Sequence, residues 1–548
     1  MSIRWYSAAG AAAALVFALA GCGSNPASGN SAVNAAANAG GSTASAGKTL
    51  VFGRGGDSVK LDPADVTDGE SFRVTEQIYE TLVDYKPGTF DIVPGLATDW
   101  TPSSDGLKWT FHLRKGVKFQ DGTDFNADAV VFNFNRWMDK SNPYHKGDFE
   151  YFASMFGGFK GDPGLVLQDV KKVDDYTVEF DLKHPFAPFL ADMAMPCFAI
   201  ASPKDIQDHQ GDISRDPVGT GPFIFVSWKQ NDKIVLKKNP NYWQSGLPHL
   251  DQVVFQVIQD NKARLNALQS GELDIIDGVN PVDVQTIKSD PNLQLFLRPS
   301  NNVGYLAFNT QKKPFNDVRV RQAINMAIDK KAIIDAYFNG LAEPAATPLP
   351  PTMWGNDPSI QSYPVDIEKA KQLLADAGFP NGFQTELWAM PVARPYMPDP
   401  QKIATAIQAD LKKIGIDAKI VTYDWATYLK KTANGEHTMC LLGWTGDNGD
   451  PDDFLYVLLD SDNAKAPAQN VAFYVNPQVH QLLTQAQKET DQQKRAQLYQ
   501  QAEQIIYKDA PWVPLDHSTP ALAANKKVTG FVPSPTGSDS LLNVDIQG

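Results

Sequence analysis

Two spacings of apolar residues recur along the chain. Trp109-Thr110-Phe111-His112-Leu113 alternates every second position, the period of a half-buried strand, whereas Val320, Ala323, Ile324, Ala327 and Ile328 share one face of a helix predicted over 318–328. That face is read as core packing. Between 366 and 444 the pattern becomes regular: helix 366–377, strand 384–390, helix 401–413, strand 417–423, helix 425–433 and strand 438–444. Asp399-Pro400 supplies an N-cap and a first-turn proline, Gly415 a stop, and the strand segments are rich in Ile, Val, Thr and aromatic residues. Such alternation favours parallel strands, whose ligands sit beyond the carboxyl ends. Two loops should open on that rim: Pro391 to Tyr396 and Thr445 to Asp450.

The first residues follow a different rule. Arg4 precedes an apolar run, Ala9 to Ala20, that is too short to span a membrane as a helix and reads as an export signal. It ends in Leu19-Ala20-Gly21-Cys22, which resembles the bacterial lipobox and implies cleavage before a lipidated Cys22. Residues 23–47 are nearly all small or polar and are expected to tether a folded part that begins near Lys48. Acyl chains on Cys22 would then hold the protein at a membrane surface.

The 548 residues suffice for several hydrophobic cores. With 43% hydrophobic and 20% charged residues the composition is that of a globular protein. A formal charge of -14, with no concentrated basic stripe, argues against nucleic acid as a partner. Of three cysteines, Cys22 belongs to the lipobox; Cys197 and Cys440 fall in apolar runs of different expected lobes and read as buried free thiols, although export would permit pairing.

Enzyme signatures are missing. Gly47-Lys48-Thr49 is not the end of a phosphate loop, since Ser42 stands where a glycine is needed. There is no G-x-S-x-G, H-E-x-x-H or paired C-x-x-C, and the eight histidines are dispersed, so neither a hydrolase, a metal site nor a cofactor is expected. Asp447, Asp450, Asp452 and Asp453 do not make a calcium loop, because Leu455 and Pro451 occupy the positions of its glycine and a variable residue. Asp450 can instead cap a helix beginning at Pro451, with Asp452 and Asp453 complementing its dipole. Asp447 is left over, between Gly446 and Gly449.

The stretch Lys108 to Phe134, K-W-T-F-H-L-R-K-G-V-K-F-Q-D-G-T-D-F-N-A-D-A-V-V-F-N-F, resembles the family of peptide- and nickel-binding proteins of ABC importers. Pro217 to Phe223, Asn239 to Trp243 and Val318 to Lys330 agree with it. Trp388 to Tyr396 (W-A-M-P-V-A-R-P-Y) and Gly443 to Asp453 (G-W-T-G-D-N-G-D-P-D-D) most closely resemble the dipeptide-binding branch. The resemblance implies an α/β, two-lobed flytrap fold with mixed sheets. Lobe I would comprise 48–90, 205–302 and 518–548, an inserted subdomain 91–204, and the other lobe 303–517, with crossings near 302 and 517. It also implies a monomer that hands a short peptide, foremost a dipeptide, to membrane permease subunits, with haem, a nickel complex or another small amino compound as the alternative ligand. An exported peptidase or an adhesive lipoprotein are the competing classes.

In relatives of that branch the arginine at the position of Arg394 holds the ligand carboxylate, which suits a planar, permanently charged fork. The aspartate at the position of Asp447 pairs with the ligand's amine. Together they would measure the distance between a peptide's ends. Read without the resemblance, Arg394 and Asp447 equally suit pairing with each other or solvation. Tyr396 and Trp444, beside Gly443, suit side-chain pockets or core. A loop at Thr67 to Ser71, containing Asp68 and Gly69, is implied to cover the ligand backbone. Relatives carry Ser and Thr where this chain has Asp68 and Glu70, which points to cationic ligands.

Overall fold

The computed structural model describes residues 47–547. The expected export signal, Cys22 and nearly all of the tether lie outside them.

Three sheets carry the chain. The first has seven strands, in the order Leu293–Leu297, Ala521–Asn525, Ile275–Ile276, Thr49–Arg54, Gln252–Val257, Lys233–Lys238 and Phe223–Lys229. Thr49–Arg54 runs parallel to both of its neighbours. This sheet is drawn from three distant parts of the sequence and is the frame of one lobe. The second sheet has six strands, in the order Ala342–Pro344, Trp512–Ser518, Asn302–Phe308, Met439–Thr445, Gln384–Trp388 and Asp417–Val421. It frames the other lobe. The chain passes between the two sheets at 298–301 and again at 519–520.

The regular pattern of 366–444 appears as helices Ile367–Asp376, Pro400–Lys413 and Trp425–Ala433 alternating with three strands of the six-stranded sheet. Those three strands are mutually parallel. The sheet as a whole is mixed, because Asn302–Phe308 runs antiparallel to Met439–Thr445 and Trp512–Ser518 antiparallel to Asn302–Phe308. Helix Val318–Ala327 buries Val320, Ala323, Ile324 and Ala327 in this lobe's core. Each amphipathic face thus lies where its period predicts.

A four-stranded antiparallel sheet, Ala97–Pro102, Lys108–Leu113, Thr177–Leu182 and Leu167–Asp174, belongs to the inserted subdomain. Its core is aromatic, with Phe134 stacking edge-on to Phe180 at 4.8 Å and to Trp137 at 4.7 Å.

Several blocks that carry the family resemblance turn out to be joinery. Glu80 accepts hydrogen bonds from the Thr220 hydroxyl (2.7 Å), the Tyr242 hydroxyl (2.7 Å) and the Trp243 indole N–H (3.0 Å), tying two separate motifs to one carboxylate. Burial pushes that carboxyl up to about 7, and the three donors hold it down against that tendency. Gln120 donates to the carbonyls of Ile78, Gly221 and Phe223, stitching the subdomain to the first lobe. Gly221 is required there because a Cβ would lie 2.7 Å from the Ile78 backbone. In the Val318 to Lys330 block, Arg321 donates to the Asp509, Ala510 and Phe315 carbonyls and Asn325 to that of Trp512. Cys197 and Cys440 are buried and free, one in the subdomain core and the other in the second lobe's.

Candidate functional site

The rim of the second lobe is built from strand ends. Gly443 stands directly across from Gly304, and Gly304 directly across from Asp516, so the three form one row on one face of the six-stranded sheet. A Cβ at Gly443 would collide with the Tyr396 ring, and one at Gly304 would lie 2.6 Å from the Tyr396 carbonyl. Two missing side chains therefore seat Tyr396 flat against the backbone. The ring is 7% exposed, and burial pushes its phenol up to about 12 despite the opposing charge of Arg394.

Arg394 is exposed in the same loop. Its backbone and that of Met397 exchange N–H to C=O bonds of 3.0 and 2.9 Å, which pinches the loop into a hairpin-like turn. The guanidinium sits 4.9 Å over the Trp425 ring. Arg394 and Asp447 make no salt bridge with each other among the described residues.

Asp447 follows strand Met439–Thr445. Its N–H donates to Asp453 Oδ2 at 2.8 Å, and the Trp444 indole N–H donates to the same oxygen at 3.3 Å. Trp444 is thereby committed to bracing the loop, half-buried against the core rather than free at the rim. The Asp447 Oδ2 atom is buried and has no partner. Burial pushes its carboxyl up to about 7, and the Tyr151 hydroxyl of the inserted subdomain, which faces it, pulls the other way.

The acidic cluster around it divides by role. Asp450 makes a bidentate pair with Arg495, both contacts at 2.8 Å, and also accepts from the Asp452 N–H at 3.0 Å. The helix that follows is Asp452–Leu459, with Pro451 as its cap, one residue later than the spacing predicts. Asp450 still satisfies a first-turn N–H while its charge is taken by Arg495.

The subdomain reaches this loop. Asn448 Nδ2 donates to Asp192 Oδ1 at 2.9 Å, and Asp192 is 2% exposed with Oδ2 unpartnered. Burial raises the Asp192 carboxyl well above its usual range, with Asp452, Asp450 and Asp453 adding to the effect and Arg495 opposing it. The Ala187 N–H also donates to the Gln487 carbonyl at 2.7 Å, and Phe90 packs against Gly449. Subdomain and second lobe are thus shut against each other over the loop. Replacing Asn448 by Ala is expected to weaken this closure and lower ligand affinity by about 1 kcal/mol, several-fold, read by calorimetry with the radius of gyration from X-ray scattering. Unchanged values of both would show that the contact does not contribute to closure.

On the first lobe, Asp68 caps helix Gly69–Thr75, its Oδ1 accepting from the Ser71 N–H at 2.9 Å. Gly69 opens that helix with free space around it. Glu70 pairs with Arg73 at 2.9 Å and lies 3.9 Å from Arg54. Asp68 thus caps a helix, and Glu70 shares Arg54 and Arg73 with Asp57 and Asp277 within its own lobe. Residues that the sequence reading passed over are Tyr151, Asp192 and Asp516; only Asp516 left a trace, as an acidic residue inside the apolar strand run Trp512–Ser518.

Asp460, Asp462 and His480 group closely enough to suggest a metal, yet Asp460 already accepts from the Asp462 N–H at 2.8 Å and contacts His480 Nδ1 at 3.0 Å. Among the described residues no helix is long and apolar enough to cross a membrane.

Residues 91–466 match the family described as bacterial extracellular solute-binding proteins, family 5. The chain is 43% identical over 519 residues to the heme-binding protein A of Haemophilus influenzae, covering 92% of this chain and 93% of that one. It is 42% identical over 515 residues to the dipeptide-binding protein of Escherichia coli, covering 91% and 95%. Among solved structures, the periplasmic binding protein DppA of Helicobacter pylori, in complex with the peptide STSA, superposes with a TM-score of 0.82 at 39% identity, over 91% of this chain and 98% of that one.

Proposed function

The chain belongs to the bacterial extracellular solute-binding proteins of family 5, and from that premise we propose that it is the capturing subunit of an ABC importer, closing its lobes on short peptides, dipeptides foremost, and delivering them to membrane permease subunits. Cys22 anchors it by lipid, and it works as a monomer with no cofactor. Residues 303–517 form the lobe that carries Arg394 and Asp447, and 48–90, 205–302 and 518–548 the lobe that covers the ligand from Asp68 and Gly69.

The reading rests on one observation above the others: Asp447, half-buried where the subdomain meets the second lobe, has a buried Oδ2 with no hydrogen-bond partner among the described residues. A buried carboxylate needs a counter-charge or a proton, and a peptide's ammonium supplies the former. Arg394, exposed beside Tyr396 and without a carboxylate partner among the described residues, suits the peptide's other end. A peptide similarly occupies the DppA structure and names the Escherichia coli relative. Heme, the ligand in the name of the Haemophilus influenzae relative, fits less well, since its two propionates are both anionic and leave the Asp447 carboxylate without a counter-charge.

Thermal unfolding with a dipeptide panel tests the proposal. A ligand present at 100 times its dissociation constant should add about 2.7 kcal/mol of stability and raise the melting temperature accordingly. A panel that leaves it unmoved, together with a visible absorption band from material that co-purifies, would turn the assignment toward heme.

A further inference from the structure

One carboxylate on the second lobe's rim has no cation of its own among the described residues. Asp516 lies in the row Gly443–Gly304–Asp516, level with the residue that seats Tyr396. Its side chain leans over Gly304, where a Cβ would come 2.5 Å from Oδ2. The residue is 1% exposed, and its Oδ1 has no hydrogen-bond partner. Burial is what lifts its carboxyl above the usual range, with no neighbouring cation pulling it back.

The basic groups nearby are turned elsewhere. His517, the next residue, places Nδ1 against the Asn302 carbonyl at 2.8 Å. Lys330 donates to the Ala345 carbonyl at 2.9 Å. The Arg394 guanidinium sits over the Trp425 ring. If position 516 served packing alone, an apolar side chain would fill it without the desolvation that a carboxylate suffers. Instead the strand offers an acidic group at the same level as the ligand loop.

We propose that Asp516 is a specificity-determining residue whose carboxylate receives a ligand cation other than the ammonium held by Asp447, so that the site prefers peptides carrying a lysine or arginine side chain. This rests on the peptide reading above.

The test is calorimetry of the wild-type protein and of Asp516→Asn with four dipeptides: Ala-Ala, Ala-Lys, Lys-Ala and alanyl-norleucine, which keeps the lysine's carbon chain without its charge. The wild type should bind the tighter of the two lysine peptides more strongly than alanyl-norleucine, on the order of tenfold or more. In Asp516→Asn that ratio should collapse toward one. Equal binding of lysine and norleucine peptides by the wild type overturns the proposal without recourse to any variant, so the test stands even if the substitution impairs folding. A preference that persists in Asp516→Asn overturns it as well. Binding of Ala-Ala without any lysine preference sinks this inference alone, whereas failure of all four peptides to bind sinks the peptide reading and this inference together.

Discussion

Asp447→Asn is expected to weaken dipeptide binding by about 2 to 5 kcal/mol while making the empty protein easier to close. The two effects have one cause. Shutting the lobes without ligand should raise the Asp447 carboxyl toward the value of about 7 that burial gives it here, so the empty closed form should bind more protons than the open one. The resulting penalty on empty closure is absent below the open-state value of about 4, grows as pH rises toward 7, and stays constant above it. Asp192 and Asp453, both pushed upward by burial, act with the same sign. A ligand ammonium beside Asp447 favours the ionised form and removes that penalty. Asparagine removes it too, and removes the attraction with it. Scattering at pH 7 should therefore find the empty variant more compact than the wild type, while calorimetry finds it a poorer binder. A variant that binds dipeptides normally would end the anchor assignment. Arg394→Ala should also lose affinity, toward the lower end of that range, because its guanidinium is exposed and screened.

Arg495→Met should cost about 3 to 5 kcal/mol of stability, the usual effect of stripping one partner from a buried ion pair. Arg495 holds Asp450 through two bonds of 2.8 Å, donates to the Ala486 carbonyl at 2.9 Å and lies 5.0 Å over the Trp354 ring. With the arginine gone, Asp450 is left charged and buried at the root of the loop that presents Asp447. The Asp450→Asn, Arg495→Met double variant should recover part of the loss, since the orphaned charge disappears along with its partner. Chemical denaturation of Arg495→Met, Asp450→Asn and the double variant measures this. Losses that simply add would mean that the pair is not coupled.

How much of this was legible in the sequence depended on whether the relevant force is local. The helices and strands of 366–444 announce themselves through periodicity and caps, and Asp366, Asp399 and Asp424 each cap the helix that follows. The loops carrying Arg394 and Asp447 follow from that alternation, because parallel strands point their carboxyl ends one way. The antiparallel strands Asn302–Phe308 and Trp512–Ser518 arrive from far along the chain, and no local spacing encodes their neighbours. The partners of Asp68 and Glu70 were equally out of reach: Arg54 and Arg73 neutralise Glu70 only after the first lobe folds. Gly304 and Gly443 are anonymous until the ring of Tyr396 is found lying on them.

The seven-stranded sheet places Ala521–Asn525 between Ile275–Ile276 and Leu293–Leu297, and the preceding strand, Trp512–Ser518, lies inside the six-stranded sheet. Both frames therefore wait for the last tenth of the polypeptide. A nascent chain emerging in order cannot complete either one early, and its loop-closure entropy falls due late. Such late completion should slow folding and leave unpaired strand edges exposed in the interim.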